Sequence, residues 1–162
     1  MLMPSPTVRS AGARVPAQVA RFRVLEQHRE LRQLLETGLD LVRGALGGNR
    51  QALWDLPALL DRTHQAFRCH LAEEEALLLP ILDDDVPVGP MRAAILRQEH
   101  DRQRAEMEAL AAKERSCTMD ELAARYSELV QALLMDMEAE ERELLTADVI
   151  RDDGIVIDQC SG

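Results

Sequence analysis

The chain has 162 residues and a mass of 18.2 kDa, the size of one domain. Its 19 Lys and Arg against 29 Asp and Glu leave a net charge of −10. That balance argues against a nucleic-acid binder, which needs a basic stripe, and against adsorption to anionic lipid. Phe22, Trp54, Phe67 and Tyr126 are the only aromatic residues, and the apolar 46% is carried by Leu, Ala, Val, Ile and Met, which disfavours a sandwich or barrel.

Residues 1–17 contain Pro4, Pro6 and Pro16 and lack an apolar core segment, so they read as a disordered or extended N-terminal segment and not as a secretory signal. The helical domain is expected over 18–149, and 150–162 as a C-terminal tail in which Ile155-Val156-Ile157 could dock on the domain. No apolar run reaches the roughly 18 residues of a membrane span. Cys69, Cys117 and Cys160 are odd in number and widely spaced, which implies no disulfide framework and a reducing, cytoplasmic setting.

Four helices are predicted, over roughly 18–45, 51–82, 90–114 and 119–148. Gly47-Gly48-Asn49 breaks the first from the second, Asp83 to Pro90 the second from the third, and Lys113 to Thr118 the third from the fourth. Thr118 with Glu121 reads as a capping box. Short links between long helices imply an all-α, antiparallel up-down-up-down four-helix bundle. No longer repeat is evident.

Each helix carries one apolar stripe. The second runs Leu56, Leu60, Thr63, Phe67, His70, Glu74, Leu77, Ile81, in alternating steps of four and three. The first runs Val24, His28, Leu31, Leu35, Val42; the third Ala93, Leu96, His100, Met107, Leu110; the fourth Leu122, Tyr126, Leu129, Leu133, Asp136, Glu140, Leu144. Every stripe is interrupted near its middle by residues that ligate metals, and buried ionisable groups are costly unless paired or bound. At about 1.5 Å per residue, their offsets from the turns agree to within a few ångströms for each helix pair. His28, His70, Glu74, His100, Asp136 and Glu140 therefore meet at one level of the core.

Three imidazoles and three carboxylates suit a pair of first-row ions, iron before manganese or zinc. His70/Glu74 and Asp136/Glu140 are spaced i,i+4, so each pair shares a helix face and its carboxylate can bridge two metals. Room remains for an oxo or hydroxo bridge and for a small exogenous ligand such as O2, NO or peroxide.

The segments Glu26-Gln27-His28, Cys69-His70-Leu71-Ala72-Glu73-Glu74-Glu75-Ala76-Leu77-Leu78-Leu79-Pro80 and Gln98-Glu99-His100 resemble the hemerythrin-like (HHE cation-binding) family. The second matches the family's H-x-x-x-E-E-x-x-L-(F/L)-P stretch, and Asp136 to Thr146 repeats it with Asp136 in place of the usual histidine and Thr146 in place of the usual proline. The resemblance covers about 18–148. It implies a non-haem diiron centre with His28, His70 and His100 as terminal ligands, Glu74 and Glu140 bridging, and Asp136 replacing a terminal imidazole. An anionic donor there would favour Fe(III) and shift the protein from O2 carrier towards sensor, oxidase or simple iron binding.

Other residues carry plainer readings. Glu73, Glu75, Glu138, Glu141 and Glu143 read as solvated faces or dipole partners, with Glu73 or Glu141 able to rotate in beside Asp136. His64 faces away, hydrogen-bonded by Asp61. Cys69 reads as buried, Tyr126 as core, and Met107, Met135 and Met137 as core filler. A diiron oxidase or ferroxidase is the competing enzyme reading, although the Glu-x-x-His motif of ferritin-like sites is missing. A metal-free helical interaction module is the third reading. A homodimer or a protein partner is compatible with all three.

Overall fold

The computed structural model describes residues 15–84, 88–113 and 116–150. Its four long helices are α1 (Ala17–Leu46), α2 (Leu56–Leu82), α3 (Gly89–Lys113) and α4 (Met119–Glu143). α1 and α3 each pack against both α2 and α4, which closes the expected antiparallel ring. No helix among the described residues is long and apolar enough to cross a membrane. The expectations for residues 1–14, for Ile155-Val156-Ile157 and for Cys160 lie outside the described residues.

Local chemistry sets the helix ends. Pro16 precedes α1 with φ −56°, and Gly48 makes the following turn at φ +112°, a conformation that L side chains rarely adopt. The second helix was expected to begin near residue 51, but Arg50–Asp55 form a 3-10 helix and α2 begins at Leu56. Pro57 accounts for this. It suits the first turn of a helix, but in mid-helix it would clash with the Leu53 carbonyl and leave that carbonyl without a donor. The capping box at α4 is present: the Glu121 N–H donates to Thr118 Oγ1 at 3.2 Å, and the Thr118 N–H donates to Glu121 Oε2 at 2.8 Å. Caps of this kind contribute about 0.5–2 kcal/mol.

α4 ends at Glu143, earlier than the predicted 148. Both Leu144 N–H and Leu145 N–H donate to the Glu140 carbonyl, and the chain turns so that Leu145 and Ile150 enter the core. Arg21 Nε donates to the Leu145 carbonyl and ties this turn to α1. Burying two large aliphatic side chains is worth about 1.5–3 kcal/mol each, more than one further exposed helical turn would gain.

The buried apolar residues form two separate clusters. One centres on Leu35, Leu60, Phe67, Tyr126 and Leu133; the other on Val24, Leu78, Leu82, Ala93, Leu96 and Leu145. Between them lie the buried polar residues His28, His70, Glu74, His100 and Gln103. In the first cluster Gly38 makes room for Tyr126: a Cβ at Gly38 would lie 2.1 Å from the tyrosine oxygen. Tyr126 is core, as expected. Ile81 is only half-buried, Cys69 is exposed, and Met135 is 70% exposed while Met107 and Met137 are buried. Cys69 and Met135 each sit one residue before a seam position, His70 and Asp136, where rotation of 100° per residue carries them to the outer face.

Candidate metal centre

Five of the six expected site residues converge between the two apolar clusters. On α2, His70 and Glu74 sit one turn apart, with His70 Nε2 3.1 Å from Glu74 Oε2. His100 Nε2 of α3 lies 3.5 Å from the same oxygen. His28 Nε2 of α1 lies 3.5 Å from Glu140 Oε2 of α4, and its ring meets that of His70 edge-on at 5.0 Å. Two groups each bring three ligand atoms within 4.8 Å of one another: His28, His70 and Glu74, and Glu74, His100 and Glu140. Glu74 belongs to both, as a bridging carboxylate does.

The outer ring nitrogens have their own partners. His28 Nδ1 donates to Glu141 Oε1 at 2.9 Å, His100 Nδ1 to Glu75 Oε1 at 2.9 Å, and His70 Nδ1 to Gln27 Oε1 at 3.0 Å. Arg32 holds Glu141 at 2.7 Å and Arg104 holds Glu75 at 2.6 Å. Glu74, shared by both groups, and Glu140, which belongs to one, are each followed by a second glutamate that reaches sideways to a histidine on the neighbouring helix. Glu75 and Glu141, expected as solvated or dipole partners, instead orient the imidazoles. A proton fixed on Nδ1 aims the Nε2 lone pair inward, the arrangement found around metal-ligating histidines. The sequence signal for it is the repeated dipeptide Glu74-Glu75 and Glu140-Glu141.

The inner atoms are left over. His28 Nε2 and both carboxylate oxygens of Glu74 are buried without a hydrogen-bond partner. The imidazoles approach Glu74 closely but without hydrogen-bond alignment, so the donors converge on common points. Unsatisfied buried oxygens and nitrogens cost about 1–3 kcal/mol each unless something binds them. The donor set therefore fits cations.

The electrostatics agree. Burial opposes ionisation of Glu74, but His100 and His70 outweigh it and hold its carboxyl down to about 2. Burial, together with the charge of Glu74, pushes Glu140 up against the pull of His28 and His100. Burial disfavours the imidazolium form of His28, yet Glu140, Glu74 and Glu141 raise its pKa; His100 is raised likewise by Glu74 and Glu75 against its burial. Without a cation these protons partly balance the carboxylates, and a metal would displace them.

A family model, the hemerythrin HHE cation binding domain, matches residues 21–147. The chain belongs to that family. The match spans all four helices and takes in every residue of both ligand groups. No curated protein and no solved structure matches the chain.

Against this HHE framework Asp136 stands apart. It joins neither ligand group. Its Oδ2 accepts from Arg102 Nη2 at 2.6 Å and from Gln103 Nε2 at 3.2 Å. Arg102 also reaches Glu99 at 3.0 Å and Glu106 at 2.8 Å. A side chain shorter than histidine meets a guanidinium on the next helix before it reaches the ligand groups. His64 is half-buried on another face.

Proposed function

We propose that this HHE domain binds two iron ions, one at His28, His70 and Glu74 and the other at Glu74, His100 and Glu140. The observation that carries the reading is the orientation of the three imidazoles: every Nδ1 is spoken for by an outer oxygen, while His28 Nε2 and both oxygens of Glu74 have no partner. Two carboxylates and three imidazoles are a donor set suited to iron, and manganese or zinc are weaker matches. When bound, the iron pair supplies a redox-active centre for a small ligand: O2, NO or peroxide. The chain's own part is to hold the donors at fixed positions, keep the lone pairs directed inward, and flank them with the two apolar clusters, which shield the His28–His70 side from bulk water. Asp136 takes no ligand role in this proposal.

The test is metal content of protein purified without a metal-affinity tag, for the parent and for Asp136→His. About two irons per chain in the parent, with visible ligand-to-metal absorption that O2, NO or peroxide alters, supports the reading. One iron in the parent rising to two in Asp136→His would show that position 136 limits the second site. No metal in either, with the helices intact, refutes the proposal and leaves a helical interaction module. Stoichiometric spectral change marks a carrier or sensor, and turnover of peroxide or Fe(II) marks an enzyme.

A further inference from the structure

The second ligand group borders a cavity. His100 and Glu140 line a space of about 480 Å³ between α3 and α4. A diatomic ligand needs little more room than one water molecule, about 30 Å³. Cavities of about 300–1,000 Å³ are those that take small organic molecules.

The cavity has a defined polarity. Met91, Ile95 and Leu96 from α3 face Ala139 and Leu144 from α4 and its end. Met91 is 60% and Ile95 53% exposed, an apolar rim left uncovered. At the inner end sit His100, Glu140 and Asp136. Asp136 Oδ2 is taken up by Arg102 and Gln103, which leaves Oδ1 as a hydrogen-bond acceptor. Glu99 and Glu143 also line the cavity, already paired with Arg102 and Arg142 respectively, and Arg92 is the one guanidinium in the lining. At the inner end an anionic guest meets the carboxylates of Asp136 and Glu140, whereas an uncharged one is not repelled.

From this geometry we infer that the α3–α4 cavity is a binding site for an uncharged, amphiphilic organic molecule, an alkyl or aryl alcohol in chemical class. Its apolar body lies between Met91, Ile95 and Leu144, and its hydroxyl donates to Asp136 beside the His100–Glu140 side of the centre. The part of the inference that places the hydroxyl next to a metal rests on the diiron reading; the cavity itself does not. The replacement of an imidazole by Asp136, held back by Arg102 and Gln103, is what gives this side both its space and its acceptor.

The test is NMR of the full chain with 13C-labelled methionine and isoleucine methyl groups, titrated with 1-hexanol and separately with hexanoate. The titrations are run on metal-free and on iron-treated protein. The expected result is saturable shifts from 1-hexanol at Met91 and Ile95 but not at Met135, which is exposed and outside the cavity, with hexanoate at least about tenfold weaker. Ala139→Phe, which fills the cavity, removes the saturation. Ile95→Asp, at an exposed position that does not threaten folding, weakens it about fivefold or more through lost apolar contact. Absence of shifts, equal shifts at Met135, binding undiminished in both variants, or hexanoate as strong as hexanol overturns the proposal. If 1-hexanol saturates the protein although iron does not bind, the cavity stands and the diiron reading fails. If iron binds and 1-hexanol does not, the reverse holds.

Discussion

Removing the carboxylate behind His100 tests whether the outer hydrogen bonds organise a metal site. Glu75 Oε1 accepts from His100 Nδ1 at 2.9 Å and from Arg104 at 2.6 Å. Glu75→Ala deletes the acceptor that fixes the Nδ1–H tautomer and orients the ring. Losses of this kind cost about 10–100-fold in metal affinity, equivalent to about 1.4–2.8 kcal/mol. Arg104 is a third exposed, so its lost ion pair adds little to that cost. Glu75→Gln keeps an oxygen acceptor, and the chain already uses an amide oxygen in this role, Gln27 behind His70. The glutamine variant should therefore retain most of the affinity. The assay is competitive titration of Fe(II) or Co(II) against a chelator over a pH series. Glu75 raises the pKa of His100, so its removal also eases proton competition. The affinity gap between parent and alanine variant should accordingly widen as the pH rises. Equal affinity of parent and alanine variant, or a glutamine variant as weak as alanine, refutes the reasoning.

Metal occupancy should fall as the pH drops through the raised pKa values of His28 and His100, because each imidazole must lose a proton to bind; iron release followed from pH 8 to pH 5 checks the direction. For the metal-free protein the same raised values stabilise the fold below pH 6.5, and that contribution fades as the pH rises through them. The depressed pKa of Glu74 acts oppositely, contributing stability above 4.5 that is lost as the pH falls towards 2. Gly38→Ala puts a methyl carbon 2.1 Å from the oxygen of a fully buried tyrosine that also contacts Thr63 at 3.3 Å. Overpacking at about 1–3 kcal/mol and a weakened hydrogen bond exceed the helix-propensity gain of about 1 kcal/mol. Thermal unfolding should show a midpoint lower by a few degrees, partly restored by Tyr126→Phe, and an unchanged or raised midpoint would contradict the packing.

The residues that betray the bundle are those whose burial is periodic. His28, His70, Glu74 and His100 occupy seam positions, so their convergence follows from helix geometry and the turn positions alone. The start of α2 was expected near 51 and missed, although Pro57 marks it locally. The end of α4 has no such mark, because Leu145 and Ile150 are drawn into a cluster contributed by α1, α2 and α3, and no local pattern encodes that. Glu75 and Glu141 are harder for another reason. A residue one step past a seam position points about 100° away and looks solvated on its own helix. Its carboxylate is long enough to reach the imidazole of the adjacent helix, which only the tertiary arrangement reveals. Asp136 is legible as a departure from the histidine pattern, but its fate depends on Arg102 and Gln103, on a different helix.

The two halves of the centre are therefore built alike and finished differently. On one side two imidazoles, His28 and His70, join Glu74 in one ligand group, each backed by an oxygen from a neighbouring helix. On the other, His100 is the single imidazole, and Asp136 is occupied by Arg102. The three residues of the first group are all buried, whereas His100 and Glu140 of the second line the 480 Å³ cavity. Fewer neutral nitrogen donors and easier solvent access should make the second metal the exchangeable one. Chelation of the iron-loaded protein should then proceed in two phases of comparable amplitude, the faster from the His100 side. Glu75→Ala should accelerate the fast phase, and Glu141→Ala, which frees His28, the slow one. A single phase in the parent, or both variants accelerating the same phase, would mean that the two positions are not distinguished by their imidazole count, and the asymmetry at Asp136 would have no consequence for metal retention.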